Sequence, residues 1–288
     1  MRSTLLLPLW LGAACASPGN LTIGAIADAQ YADADSSGVR HYRLSAQKLA
    51  DCVEELNRHE LDFVVHLGDL IDKDFASFDV VMPLVQRLKA KPHLVLGNHE
   101  FSVDEGDKQA VPAMMGLERR YYDFEREGRR FLVVDGNDLS RYAWPAGSAQ
   151  LAASVAYHET HARDRPEWNG AIGARQLAWI DEVLQRADEA GEDAFLLCHF
   201  PIYPDEVGYT LWNATEVREL LARHPSVKAW LAGHHHHGEY VAWKGIHFLT
   251  LRGMVDTQET AYAILTITKD TLIVKGFGRE PDRVLPLR

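Results

Sequence analysis

Short apolar runs that each stop at a polar side chain recur along this chain, and that repetition constrains its fold more than any other feature. The run 21–28, with Ile23 and Ile26, ends at Asp28; the run 62–69, through Phe63, Val64, Val65 and Leu67, ends at Asp69; the run 93–97 ends at Asn98. Each has the length and composition of a strand buried on both faces. Between them, Leu49, Val53 and Leu56 within 42–60, and Val81, Val85 and Leu88 within 78–90, repeat at helical spacing. Strands and helices that alternate in this way predict a parallel or mixed sheet covered by helices, an α/β fold.

The pattern continues past residue 100. Two strands, 121–124 and 130–135, are expected to turn around Glu127 and Gly128. The segment 136–170 is the least regular and reads as a lid or an insertion. A helix over 173–190, with Leu177, Ile180, Leu184 and Ala187 on one stripe, leads into a strand 194–198 that stops at His199. A helix over 214–223 leads into a strand 227–232 that stops at Gly233 and four histidines, and 239–277 reads as antiparallel strands. The histidine run follows directly from a strand, which separates it from a terminal purification tag.

With 30 Lys and Arg against 41 Asp and Glu, the net charge of -11 argues against general binding to nucleic acid. A small anion remains compatible, because bound divalent cations reverse the local sign. One catalytic domain over 20–288 is the expectation. Residues 1–16 carry Arg2, an apolar run 5–14 and the small-x-small site Ala14-Cys15-Ala16, and read as a signal peptide for export. The alternatives are lipidation of Cys15, or a leader without function and a cytoplasmic protein. The run is shorter than the roughly 20 residues of a membrane-spanning helix, and no later stretch reads as transmembrane. Cys52 and Cys198 lack the spacing of a disulfide or zinc motif and are expected as small buried hydrophobes.

Five strand ends thus deliver Asp28 and Gln30, Asp69, Asn98 and His99, His199, and His234 and His236. In open α/β sheets ligands bind at the carboxyl ends of strands. A carboxylate able to bridge, imidazoles, and a neutral amide oxygen suit two adjacent cations. Gly68, Gly97 and Gly233, each just before one of these groups, allow tight turns beside a bound ion.

The ordered series Asp28-x-Gln30, Gly68-Asp69-x-x-Asp72, Gly97-Asn98-His99-Glu100, His199 and Gly233-His234-x-His236 resembles the calcineurin-like metallophosphoesterase superfamily and spans nearly the whole chain after the leader. The resemblance implies a four-layer α/β/β/α sandwich with two mixed sheets. Gln30 stands where most of that superfamily has histidine, which is similar to the manganese-dependent ADP-ribose/CDP-alcohol diphosphatases. So are the stretches 26–31, 168–170, 199–205 and 276–283. The implied reaction is hydrolysis of the diphosphate bond of an ADP-ribose or CDP-alcohol type substrate to a nucleoside monophosphate and a second phosphate ester. The alternative is a broader phosphodiesterase or phosphomonoesterase of the same superfamily.

By the same resemblance one cation takes Asp28, Gln30, Asp69 and His236, the other Asp69, Asn98, His199 and His234, and His99 is the catalytic residue that stabilises charge on the leaving oxygen. Two divalent ions are implied, Mn2+ favoured over Mg2+ or an Fe/Zn pair. Asp72 and Glu100 are placed to hold imidazoles in one tautomer or to remain surface carboxylates. Tyr31 and Tyr203 are candidates to contact substrate, with Trp212 open to the same reading or to a core role. Arg43 and Arg252 read as phosphate partners or surface ion pairs. His235 and His237 are expected to alternate away from the site, His66 to be a satisfied core histidine, and His158 and His161 to be solvated.

Overall fold

The computed structural model describes residues 19–204 and 208–287. The leader and Cys15 lie outside the described residues. The first half delivers the expected alternation: β1 (Leu21–Ile26), α1 (Tyr42–Leu56), β2 (Phe63–His66), α2 (Phe78–Val85) and β3 (Pro92–Leu94). Both helices are shorter than their apolar spacing predicts. At each end the hydrogen bonds tighten to three-residue turns, Arg58 N to Glu55 O and Arg87 N to Leu84 O among them.

Next come α3 (Val111–Met114) and the hairpin β4 (Tyr122–Arg126) and β5 (Arg129–Val134). The segment 136–170, the least regular part of the sequence, has secondary structure of its own. It holds β6 (Leu139–Ser140) and α4 (Ala149–His161), and the short β7 (Gly170–Ala171) pairs with β6. Ser148 caps α4 by accepting a hydrogen bond from Leu151 N. Of its thirteen residues only Ser154 and His158 are buried, so the helix carries almost no apolar stripe to read.

The remainder is α5 (Ala174–Ala190), β8 (Asp193–Cys198), α6 (Ala214–Leu221), β9 (Val227–Ala232), β10 (Glu239–Trp243), β11 (Ile246–Thr250), β12 (Ala261–Ile267), β13 (Thr271–Gly278) and β14 (Arg283–Pro286). Two six-stranded mixed sheets result, ordered β14-β13-β12-β1-β2-β3 and β10-β11-β9-β8-β5-β4. The C-terminal strands are therefore only partly the antiparallel series expected: β11 runs parallel to β9, and β12 to β14 join the other sheet.

Alternation along the strands makes the layers. Ile23, Ala25, Phe63 and Val65 meet Phe131, Phe195, Leu197 and Leu231 between the sheets. On the outer face of the first sheet Ile26 and Val64 pack with Leu49, Val53 and Val81 of α1 and α2. On the outer face of the second, Leu196 and Trp230 pack with Ile180, Leu184 and Val217 of α5 and α6. Helix, sheet, sheet, helix is the four-layer sandwich expected. Cys52 and Cys198 are free and buried, and among the described residues no helix is long and apolar enough to cross a membrane.

Candidate metal centre

Four of the polar residues at the strand ends sit in left-handed backbone that non-glycine residues rarely adopt: Asp28 at φ 52°, Gln30 at 45°, Asp69 at 56° and His234 at 68°. Each such residue costs about 1–3 kcal/mol, and such strain gathers where a site needs it. Cross-strand hydrogen bonds hold the turns. Asp28 N donates to Gly68 O at 3.1 Å, Gln30 N to Asp69 O at 2.8 Å, and His234 N to both carboxylate oxygens of Asp28 at 3.1 Å. Glycine is required where these turns crowd together. A Cβ on Gly97 would lie 2.2 Å from Asp69 Oδ1, and one on Gly68 would lie 2.6 Å from His199 Nδ1 while its φ is 91°.

The hydrogen bonds fix which ring nitrogens carry protons. His199 Nδ1 faces the carbonyl of Leu67 at 2.8 Å and must donate to it. His234 Nε2 lies 2.8 Å from Asn169 Oδ1, and Asn169 Nδ2 donates to Gly208 O, so the amide oxygen is the acceptor and His234 Nε2 the donor. With both rings neutral, the nitrogens left over, His199 Nε2 and His234 Nδ1, present lone pairs to each other 3.1 Å apart. Asn98 Oδ1 is 3.0 Å and Asp69 Oδ2 3.3 Å from His199 Nε2. Acceptors packed this closely repel unless a positive charge lies among them. Asp69, His199 and His234 offer donor atoms all within 4.8 Å of one another, which suits a bound cation.

A second group adjoins it through Asp69. His236 Nδ1 donates to Asp256 Oδ1 at 2.9 Å, leaving Nε2 3.5 Å from Asp28 Oδ1. Gln30 Nε2 donates to Asp69 Oδ2 at 2.9 Å, and its Oε1 is buried without a hydrogen-bond partner. An orphaned buried amide oxygen is costly, and a cation beside Asp28 and His236 would satisfy it. The donor set therefore fits two cations with Asp69 between them.

The charges packed into the cluster carry the same frustration. Burial opposes charge on His199, but Asp69, Asp28 and Glu100 outweigh it and lift its pKa to about 9. Burial and the neighbouring His199 push His234 well below the ordinary histidine value. Burial also opposes charge on Asp69, yet His199 and His99 hold its pKa well below the usual carboxylate range. Burial likewise disfavours a charged His236, but Asp28 and Asp256 raise it to about 9.

His99 stands beside this centre. Its backbone N–H donates to Asp69 Oδ1 at 2.8 Å, and its Nδ1 is 3.0 Å from both the carbonyl and the Oδ1 of Asp72. Asp72 thus faces the His99 imidazole with both its carbonyl and its carboxylate. Glu100 does not hold an imidazole, which corrects the expectation: its carboxylate accepts from Asp69 N at 3.0 Å, Leu70 N at 2.5 Å and Gly97 N at 2.8 Å. It braces the turn that aims Asp69. Burial, with Asp69 next to it, raises its pKa to about 7.

Most other expected residues have partners of their own. The Tyr203 ring packs on Phe248 and Trp243 with the Arg218 guanidinium over its face, and Tyr31 pairs with Ile71 while packing against the helix-side core. Trp212 is buried, its Nε1 donating to Pro166 O. Arg43 is committed to Asp33 and Asp35, and Arg252 to the carbonyls of His237 and Arg279. His158 is buried rather than solvated, bonded to Arg165 O and packed at a tilt against Trp212, whereas His161 is exposed. His66 is buried but not satisfied: neither ring nitrogen has a hydrogen-bond partner, and burial lowers its pKa to about 4. His235 and His237 do turn out of the cluster, His235 stacking on Tyr209.

Asn169 and Asp256, which orient His234 and His236, were missed. Trp168-Asn169-Gly170 carries a resemblance but no visible role, and nothing around Asp256 marks it. Lys48, buried in α1, donates to the carbonyls of Met254 at 2.5 Å and Thr257 at 2.9 Å and so pins the loop that carries Asp256. Partners of this kind typically change metal affinity by about 10–100-fold. Asn169→Ala and Asp256→Ala are expected to weaken divalent-cation binding to that extent, measured by calorimetry on metal-free protein; unchanged affinity would remove them from the site.

The sandwich and the convergent acceptors define a metal-dependent phosphoesterase class of fold. The family model for calcineurin-like phosphoesterases matches residues 21–238, and the chain belongs to that family. It is 31% identical to the manganese-dependent ADP-ribose/CDP-alcohol diphosphatase of Xenopus tropicalis over 93% of this chain and 94% of that protein. It is 29% identical to the protein of the same name from Arabidopsis thaliana, covering 88% and 92%. A solved dimetal phosphatase from Danio rerio superposes with a TM-score of 0.84 at 27% identity, over 93% of this chain and 99% of that one.

Proposed function

We propose that the chain is a two-metal hydrolase that splits the diphosphate bond of ADP-ribose or CDP-alcohol type substrates, giving a nucleoside monophosphate and a second phosphate ester. The observation that carries this is the set of facing acceptors with Gln30 Oε1 orphaned among them. The relatives named for that reaction support the choice of substrate.

Asp28, Gln30, Asp69 and His236 would hold one cation, and Asp69, Asn98, His199 and His234 the other. When bound, such ions neutralise phosphoryl oxygens and can lower the pKa of water from roughly 15.7 to about 7. The chain supplies the positioning. Asn169 and Leu67 keep the ring lone pairs of His234 and His199 aimed inward, Asp256 does so for His236, and Glu100 holds the Asp69 turn rigid. His99, oriented by Asp72, donates a hydrogen bond to the oxygen on which charge collects as the diphosphate bond breaks. An amide oxygen in place of imidazole makes one site harder, which favours Mn2+ or Mg2+ over Zn2+. Full activity of metal-free protein restored by Zn2+ would contradict that preference.

The test is hydrolysis of ADP-ribose, CDP-choline, a cyclic nucleotide and p-nitrophenyl phosphate with manganese, the products separated by chromatography. Selective release of AMP or CMP from the two diphosphates is expected. Preference for the cyclic nucleotide or the monoester would leave the broader phosphoesterase reading in its place.

A further inference from the structure

A diphosphate carries two phosphoryl groups, and a pair of cations held here would neutralise the one under attack. The second sits on the leaving side, and in a chain of net charge -11 it needs a cationic partner supplied locally. Several basic side chains near the centre are already committed. Arg43 is bound to two carboxylates, Arg252 and Arg279 donate into backbone carbonyls, and Lys48 is buried under the 254–257 loop.

Arg40 is the exception. Its backbone is fixed: Arg40 N donates to Ser37 O and Ser37 N to Arg40 O, each at 3.0 Å, while neighbouring His41 N donates to Val255 O at 3.0 Å and Thr257 N to Val39 O at 2.6 Å. The backbone of Arg40 forms an antiparallel β-bridge with that of Asp256, the residue that orients His236. Its head is loose by comparison. Nη1 lies 3.9 Å from Asp72 Oδ1, beyond hydrogen-bonding distance, and the side chain is 36% exposed. That same Oδ1 is 3.0 Å from His99 Nδ1. The guanidinium and the His99 imidazole therefore face the same carboxylate oxygen, the former on a fixed backbone with no side-chain hydrogen bond of its own among the described residues.

We propose that Arg40 binds the leaving phosphate of the diphosphate, and so makes the site selective for diphosphates over monoesters. A guanidinium matches two phosphate oxygens at once, which lysine and a hydrated surface do not. Asp72 is its resting partner and lets go as the phosphate arrives, because Nη1 lies beyond hydrogen-bonding distance of the carboxylate. The leaving phosphate takes the electron pair of the breaking P–O bond, and Arg40 screens that charge without moving a proton. This inference rests on the diphosphate reading above and assigns its specificity.

The test uses full-length, manganese-loaded protein with Arg40→Ala and Arg40→Lys. The ratio of kcat/KM for CDP-choline to that for p-nitrophenyl phosphate should fall by about 10–100-fold in Arg40→Ala, the range of a charge-assisted hydrogen bond, with part of the loss recovered in Arg40→Lys. Calorimetry with the uncleavable α,β-methylene-ADP should show a parallel loss of affinity, with manganese content per chain unchanged. An unchanged ratio and unchanged analogue affinity would overturn the proposal, as would loss of manganese, which would make Arg40 a brace for Asp256 and Asp72. If the wild type binds the analogue through Arg40 but fails to split CDP-choline, the diphosphatase reading falls and the phosphate role of Arg40 stands.

Discussion

Asp69→Ala is expected to abolish turnover and to reduce manganese binding from two ions per chain to at most one held weakly. Asp69 serves both halves of the centre. Asp69 Oδ1 accepts from His99 N, and Oδ2 accepts from Gln30 Nε2 while facing His199 Nε2 at 3.3 Å. Its removal frees the Gln30 amide to turn and takes from His199 the carboxylate that most favours its charged form. Since substitutions one layer farther out already cost about 10–100-fold, the loss here should exceed about 100-fold in kcat/KM. Ligand binding stabilises the native state in proportion to affinity, so manganese should raise the melting temperature of the wild type far more than that of the variant. Equal manganese-induced shifts would contradict a bridging role.

His99→Ala should separate two kinds of substrate. Cleavage of a diphosphate expels a phosphate monoester, whose second pKa is near 6 in phosphorylated side chains, so the departing oxygen needs little proton donation. An unactivated alkyl phosphodiester leaves as an alkoxide and depends far more on help at the departing oxygen. Acid–base or hydrogen-bond assistance of this kind contributes typically about 10²–10⁴-fold. The alkyl diester should therefore lose activity across that range in His99→Ala, and CDP-choline should lose less. Steady-state kinetics on both substrates with one enzyme preparation decides it. Equal losses would mean that His99 acts on ground-state binding or on the Asp69 turn, to which its backbone N–H is bonded.

The sequence makes the strand-end residues legible because their position is local. An apolar run followed by Asp, Asn or His places that side chain at a sheet edge whatever the rest of the chain does, and Asp28, Asp69, Asn98, His199 and His234 follow that rule. The groups behind them obey no local rule. Asn169 reaches His234 from the start of β7, and Asp256 reaches His236 from a loop that Lys48 pins from another element. Their partners lie 65 and 20 residues away, so only the assembled sandwich brings them together. Helix α4 escaped for a different reason: a helix that buries only a serine and a histidine leaves no apolar period to detect. The arginines show the limit most plainly. Arg40 and Arg43 are near neighbours in sequence, but the nearby carboxylates Asp33 and Asp35 take up Arg43 and leave the guanidinium of Arg40 beside Asp72 and His99.

The central claim is a centre that needs two cations, and metal counting tests it most directly. Metal-free protein is titrated with manganese while bound ion is followed by electron paramagnetic resonance and CMP release from CDP-choline is measured at each point. Two equivalents bound per chain, with activity complete only at the second, is the predicted result. Saturation at a single equivalent, or CMP release from protein shown to be free of metal, would contradict it.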